Sequence, residues 1–178
     1  MDLEMTCWDG DPPPGMWREI IQIGIVEVNT EMLRIGREAV YYVRPCHSTV
    51  SDYCTALTGI TQATVKRHGR AFKEVMETIA KKFGFRSKAC FTWGDDEAAI
   101  EAACAAAEEV LSPFHLIDLG FLFRLELGFR YAISLLDGFR LLNQEFQGIQ
   151  HDALTDARNT ARLHIAMLRQ RRIIRLPD

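Results

Sequence analysis

Glu19-Ile20-Ile21-Gln22-Ile23-Gly24-Ile25-Val26-Glu27-Val28 is the stretch on which the fold turns. Its density of β-branched apolar residues marks a strand, and one inside a sheet rather than at its edge. A partner strand is read on each side of it in the chain. Met1 to Thr6 is the first, separated from the long strand by a rigid loop, Asp9 to Gly15, that holds Pro12, Pro13 and Pro14. It is short ahead of Asp2 for a central strand. Glu38 to Val43 is the other partner, with turn residues between Asn29 and Gly36. The three strands should form an antiparallel meander that ends at Arg44-Pro45.

Beyond the meander the pattern changes to helices alternating with short strands. Ser48 to Arg70 reads as short helical pieces around the turn Leu57-Thr58-Gly59-Ile60-Thr61. Ala71 to Phe83 is an amphipathic helix with Phe72, Val75, Met76, Ile79 and Phe83 on one face. Ala89 to Thr92 is a buried strand. Asp95 to Leu111 is an acidic, Ala-rich helix broken by Ser112-Pro113. His115 to Asp118 is the fifth strand. Leu119 to Leu125 and Ser134 to Asn143 are helices, the second opened by a Ser134–Asp137 capping pattern. The last helix spans Ala153 to Arg171, and a basic tail covers about 169–178. This order predicts an α/β fold: a mixed five-stranded sheet with helices on both faces. The 178 residues suit a single domain, 1–178.

Composition narrows the function classes. No run approaches the ~18–20 apolar residues of a membrane span. Asp2, Glu4 and Asp9 interrupt any secretory signal. The five cysteines are odd in number and form no C-x-x-C pair, which argues for reduced thiols in a cytoplasmic protein and against a zinc site. A net charge of -3 argues against a surface that coats duplex nucleic acid.

Two polar clusters stand out at opposite ends of the chain. Asp2-Leu3-Glu4 puts both carboxylates on one face of the first strand, because side chains alternate with period two. His151-Asp152-Ala153-Leu154-Thr155-Asp156-Ala157-Arg158-Asn159 opens the last helix, where Asp152 or Thr155 can cap the free N–H groups. Unpaired carboxylates in a central strand are costly unless something binds them. Two carboxylates on a strand, a third near a helix start and a nearby His suggest metal-dependent hydrolysis of phosphodiesters.

Five segments in order carry a resemblance. Asp2 to Trp8, Glu19 to Gly24, Leu57 to Thr61, Trp93-Gly94-Asp95-Asp96 and His151 to Asn159 resemble the DEDDh family of 3′→5′ exonucleases, which are DnaQ-like with an RNase H-like fold. They are most similar to the branch that contains the histone-mRNA and small-RNA exonucleases and their bacterial relatives. The resemblance implies Asp2 and Glu4 as the first acidic pair, Asp156 as the last acid and His151 as general base. In this branch the middle acid usually stands at the position of Glu97. Asp96 is preferred here because it precedes Ile100 by one helical turn, and Asp95 and Glu97 are the alternatives. The implied cofactors are two divalent ions, Mg²⁺ or Mn²⁺, held by Asp2, Glu4, Asp96 and Asp156 about 4 Å apart.

The implied partner is the 3′ end of single-stranded RNA or DNA, shortened one nucleoside monophosphate at a time. Met5 and Thr6 are candidates for contacting the terminal sugar. Trp8 and Trp93 are candidates for stacking a base, and Leu57 and Thr58 for wedging under it. Lys66, Arg67, His68, Arg70 and Lys73 form a basic stretch that suits upstream phosphates or a solvated helix face equally. The alternative is a non-catalytic nucleic-acid-binding module on the same fold.

Overall fold

A computed structural model describes residues 1–84, 87–106 and 116–173, with side chains as far as 170. The meander forms as expected. Strands β1 (Asp2–Met5), β2 (Ile20–Asn29) and β3 (Arg34–Tyr42) are antiparallel in the order β1-β2-β3. β3 begins at Arg34 rather than Glu38, because the hairpin closes tightly. Asn29 pairs with Arg34, its Oδ1 accepts the N–H groups of Glu31 (3.1 Å) and Met32 (2.7 Å), and Leu33 takes a left-handed φ of 51°.

Helices α1 (Asp52–Thr58), α2 (Gln62–His68) and α3 (Phe72–Phe83) follow. Ser51 caps α1 and Thr61 caps α2, and Gly59 between them takes the left-handed conformation that ends α1. Next come β4 (Cys90–Thr92), α4 (Asp96–Ala106), β5 (Leu116–Asp118), α5 (Leu119–Glu126), α6 (Leu135–Leu141) and α7 (Ala153–Ile173). The expected ends of the fourth helix at Leu111 and of the basic tail at 174–178 lie outside the described residues, as does His115.

All five strands are present in mixed directions, in two ladders. β4 and β5 pair in parallel, separately from the meander. The Met1 α-ammonium bridges the ladders by donating to the Phe91 carbonyl at 2.7 Å.

Alternation along the meander sends its two faces to different helices. Leu3 and its partner Ile23, with Ile25, meet Val75, Met76, Ile79 and Phe83 of α3 and Ile100 of α4 in the main core. Each such fully buried side chain contributes about 1.5–3 kcal/mol. The opposite face carries Asp2, Glu4, Gln22 and Gly24 and receives α7. Leu119 and Phe123 of α5 then pack on Met167 of α7, so helices cover both faces. Among the described residues no helix is long and apolar enough to cross a membrane.

Candidate active site

The site is built by the way α7 lands on β2. Gly24 lies opposite Asp2 and Gln22 opposite Glu4. A Cβ on Gly24 would sit 2.0 Å from the Ala153 carbonyl oxygen, so only glycine lets the first turn of α7 touch the strand. The buried Gln22 accepts the Ala153 N–H at 2.9 Å through its side-chain oxygen, filling one of the free donors of the helix start. Asp152 caps the same turn by accepting the Thr155 N–H at 2.9 Å. These bonds set Asp156, one turn along α7, against the Asp2–Glu4 pair. Sequence reasoning passed over Gln22 and Gly24 as site-building residues. The available signal was a glycine inside a strand, which marks close backbone approach.

His151 precedes this turn with a left-handed φ of 64°, and its backbone N–H donates to Asp156 Oδ2 at 2.8 Å. The loop leading to it is pinned by buried Asn159. Asn159 Oδ1 accepts the Gln147 N–H at 3.1 Å, and its amide donates to the Gln147 carbonyl at 2.8 Å and the Thr155 carbonyl at 2.9 Å. Glu4, exposed His151 and Asp156 can present ligand atoms within 4.8 Å of one another.

Asp96 enters from the start of α4. Asp95 and Glu97 are exposed, whereas Asp96 is half-buried and acts electrostatically on both Asp2 and Glu4. Burial and mutual repulsion show in the acidities. Asp2 is held well above the usual carboxylate range, first by burial and then by Asp96, Asp156 and Glu4. Glu4 is pushed up to about 8 by burial, Asp156, Asp152 and Asp96. Asp96 is raised to about 6, mostly by burial, against a lowering pull from the Met1 ammonium. Asp156 is raised by burial, although the His151 N–H pulls the other way. Among the described residues none of the four forms a salt bridge with Lys or Arg. Asp96 Oδ2 and Asp156 Oδ1 are buried with no hydrogen-bond partner. Oxygen donors, clustered negative charge and orphaned carboxylate atoms fit hard divalent cations.

The expected substrate contacts separate into two groups. Thr6 is fully buried, and its N–H donates to the Glu19 carbonyl at 2.8 Å. Its hydroxyl donates to the Trp17 carbonyl and accepts the Glu19 N–H, so both groups are spent on extending the β1–β2 pairing. Met5 packs its side chain against the main core. Trp93 lies between α5 and α6. Its indole N–H donates to the Ile133 carbonyl at 2.8 Å, its ring meets Phe123 at 5.4 Å, and a Cβ on Gly138 would come within 2.9 Å of it. The Thr6 hydroxyl, the Trp93 indole N–H and the Met5 side chain are thus engaged within the fold. Thr58 uses its hydroxyl on the Cys54 carbonyl (2.8 Å) and the Ile60 N–H (3.1 Å).

Trp8 and Leu57 remain partly exposed. α1 docks just past the acidic pair, where Ser51 donates to the Cys7 carbonyl at 2.6 Å and Cys54 to the Met5 carbonyl at 3.5 Å. Leu57 is therefore carried on the helix that flanks the end of β1. In the basic stretch Lys66, Arg67 and His68 are exposed, and Arg70 pairs with Glu74 at 3.3 Å.

Comparison with known proteins places this geometry. Residues 1–164 match the family model described as "Exonuclease". The chain is 30% identical over 183 residues to "3'-5' exoribonuclease 1" of Rattus norvegicus, covering 94% of this chain and 52% of the relative. It is 31% identical over 196 residues to "ERI1 exoribonuclease 2" of Mus musculus, covering 95% of this chain and 28% of the relative. The chain thus spans about half, or less, of the length of these curated relatives. Its structure superposes with a TM-score of 0.84 and 27% identity on the nuclease domain of 3'hExo, a DEDDh family member bound to rAMP, covering 99% of this chain and 94% of that one.

Proposed function

Because the chain belongs to the DEDDh family of 3′→5′ exonucleases, we propose that its residues 1–178 act as one catalytic unit that removes nucleoside monophosphates from the 3′ end of single-stranded RNA. The observation that carries this reading is the set of four carboxylates, Asp2, Glu4, Asp96 and Asp156, gathered at one site beside His151 with, among the described residues, no salt bridge to Lys or Arg. Repelling carboxylates of this kind support a cation-dependent activity over a purely structural role. RNA is placed ahead of DNA because the relatives above carry the name exoribonuclease.

Asp2, Glu4, Asp96 and Asp156 would hold two divalent ions, Mg²⁺ or Mn²⁺. When bound, such ions neutralise the scissile phosphate and acidify water. The remaining work falls to the chain itself. His151, exposed beside Glu4 and Asp156, accepts the proton of the attacking water, a task imidazole performs near neutral pH. Asp156 orients it by accepting its backbone N–H, and Asn159 holds the loop that presents it. Leu57 and Trp8 are the residues proposed to meet the terminal base and sugar, and Lys66 and Arg67 the upstream phosphates. Thr6, Met5 and Trp93 are left out of that surface.

The test is a 5′-labelled single-stranded RNA and its DNA counterpart, each incubated with the protein and Mn²⁺ or Mg²⁺. EDTA and Glu4→Gln serve as controls. The expected result is a ladder that shortens from the 3′ end, faster on RNA and abolished in both controls. Intact strands with either metal, or degradation that persists in EDTA, would overturn the proposal.

A further inference from the structure

The loop between α6 and α7 carries His151, and α7 holds it at three points. Asp156, Asn159 and Arg162 are spaced three residues apart, so they follow one another along one side of the helix. The loop runs back past them. Arg162 Nη1 donates to the Glu145 carbonyl at 3.0 Å, Asn159 bonds both backbone groups of Gln147, and Asp156 accepts the His151 N–H. Asn159 is spent in full. Its amide donates twice, and its Oδ1 accepts the Gln147 N–H and, at 2.8 Å, Arg162 Nη1. The guanidinium lies 4.8 Å from the centre of the Phe139 ring, and Phe146 meets the same ring edge-on at 5.9 Å. Burial lowers the basicity of Arg162, and among the described residues it forms no salt bridge. A partly buried cation that meets neutral oxygens gains no ion-pair energy for its desolvation. What it secures is a geometry.

Resting on the reading of His151 as general base, we propose that Arg162 is a positioning residue for the reaction. Through Asn159 and the Glu145 carbonyl it holds the loop against α7, and so sets where the imidazole stands beside Glu4 and Asp156. The chemistry of the amide explains the need for a cation there. A carboxamide has nearly the same shape at both ends. Arg162 offers donors only, so it fixes Oδ1 as the end that Gln147 can donate to. Reversed, the amide would aim N–H groups at both the Gln147 N–H and the guanidinium. His151 itself is held by one backbone bond at a left-handed φ of 64°, a conformation unfavourable for a residue with a Cβ. The upstream anchors keep it there. Arg162 stands six residues, about 9 Å, beyond Asp156 along the helix, so it acts through the loop rather than on the reacting atoms.

Arg162→Met keeps an unbranched side chain against Phe139 and removes the donors. On single-stranded RNA with Mn²⁺ its kcat should fall roughly tenfold or more with KM within about twofold, because the base is displaced and the substrate contacts are not. In a His151→Ala background the same substitution should cost less than about twofold. Both bonds come from one nitrogen, Nη1, and a lysine nitrogen has donors for two, so Arg162→Lys should stay within about threefold of the parent. Amide hydrogen exchange reads the loop without turnover. Arg162→Met should speed it at Gln147 and leave it unchanged at Ala153, which is bonded to Gln22. An equal loss of kcat in both backgrounds, a Lys form as slow as the Met form, or exchange that quickens equally at Ala153 would make Arg162 a merely structural residue and overturn the proposal. So would unchanged exchange at Gln147. A parent that degrades neither RNA nor DNA would overturn the exonuclease reading, and exchange at Gln147 would still decide whether Arg162 holds the loop.

Discussion

The sheet carries two kinds of carboxylate. Toward the hairpin end of the meander, Glu27 of β2 and Glu38 of β3 are partly exposed and paired. Glu27 is held down to about 2 by hydrogen bonds from Arg37 and Lys88, and Glu38 is lowered by Arg158. Between the sheet and α7, Asp2 and Glu4 of β1, Asp96 of α4 and Asp156 of α7 have no such partner among the described residues and are all raised, first of all by burial. The same functional group serves the fold in one place and strains it in the other. Exposed ion pairs satisfy their charges at little cost, whereas a buried like-charge cluster stores repulsion that a cation can relieve. The part of the sheet that looks worst as structure is the part that looks best as a site.

The sharpest way to break this contrast is to remove one charge without removing shape. In Asp156→Asn the side-chain oxygen can still accept the His151 N–H, so the helix start should survive. Exonuclease turnover should fall by roughly 10³-fold, since a metal ligand contributes several kcal/mol at the transition state. In EDTA the same variant should melt higher than the parent, because one repelling charge is gone. A variant that melts lower and keeps its activity would put Asp156 among the structural carboxylates. Initial rates on labelled RNA and melting curves in EDTA are the two measurements.

A smaller effect is expected from pH. For Glu4, raised from 4.5 to about 8, and Asp96, raised from 3.8 to about 6, the folded state binds more protons than the unfolded state between those values. Stability then falls as pH rises through that interval. The metal-free protein should therefore lose Tm steadily from about pH 5 to pH 8. Glu27 acts with the opposite sign and lower down: its contribution is present above 4.5 and is lost as pH falls toward about 2. Saturating Mn²⁺ should flatten or reverse the upper slope, since the ion takes the deprotonated carboxylates. A Tm that stays level from pH 5 to pH 8 in EDTA would mean that the cluster is less repulsive than its geometry implies.

What the sequence made legible, and what it left hidden, divides along the same line. Periodicity located the strands and α3, because alternation and the 72-75-76-79-83 spacing are local. The D-x-E pair and the H-x4-D motif were visible because each is contiguous in the sequence. The choice of Asp96 over Asp95 and Glu97 rested on a single i, i+4 relation with Ile100, and the structure turns Asp96 inward with Ile100 buried behind it. The seat of α7 on Gln22 and Gly24 joins residues 131 positions apart and left only a glycine in a strand as its trace. The engagement of Trp93 and Thr6 within the fold was hidden for the complementary reason. An aromatic ring or a hydroxyl beside a motif looks available until the residues that occupy it, Ile133 and Gly138 or Trp17 and Glu19, are known.

Arg158 gives the smallest effect and the finest test of the contrast. It stands two residues after Asp156, inside the motif, and proximity alone would make it part of the site. Its guanidinium instead reaches across to β3 and makes two bonds to the Glu38 carboxylate, on the paired side of the comparison. Both side chains are more than a third exposed, so the ion pair should contribute below about 1 kcal/mol. Arg158→Ala should lower Tm by no more than about 4 °C, weakened further in high salt, and leave the rate on a short RNA within about twofold. Melting curves at two salt concentrations and initial rates decide it. A tenfold loss of rate with unchanged melting would mean that Arg158 leaves Glu38 for a substrate phosphate, and the boundary between the two kinds of charge would then run through α7 rather than beside it.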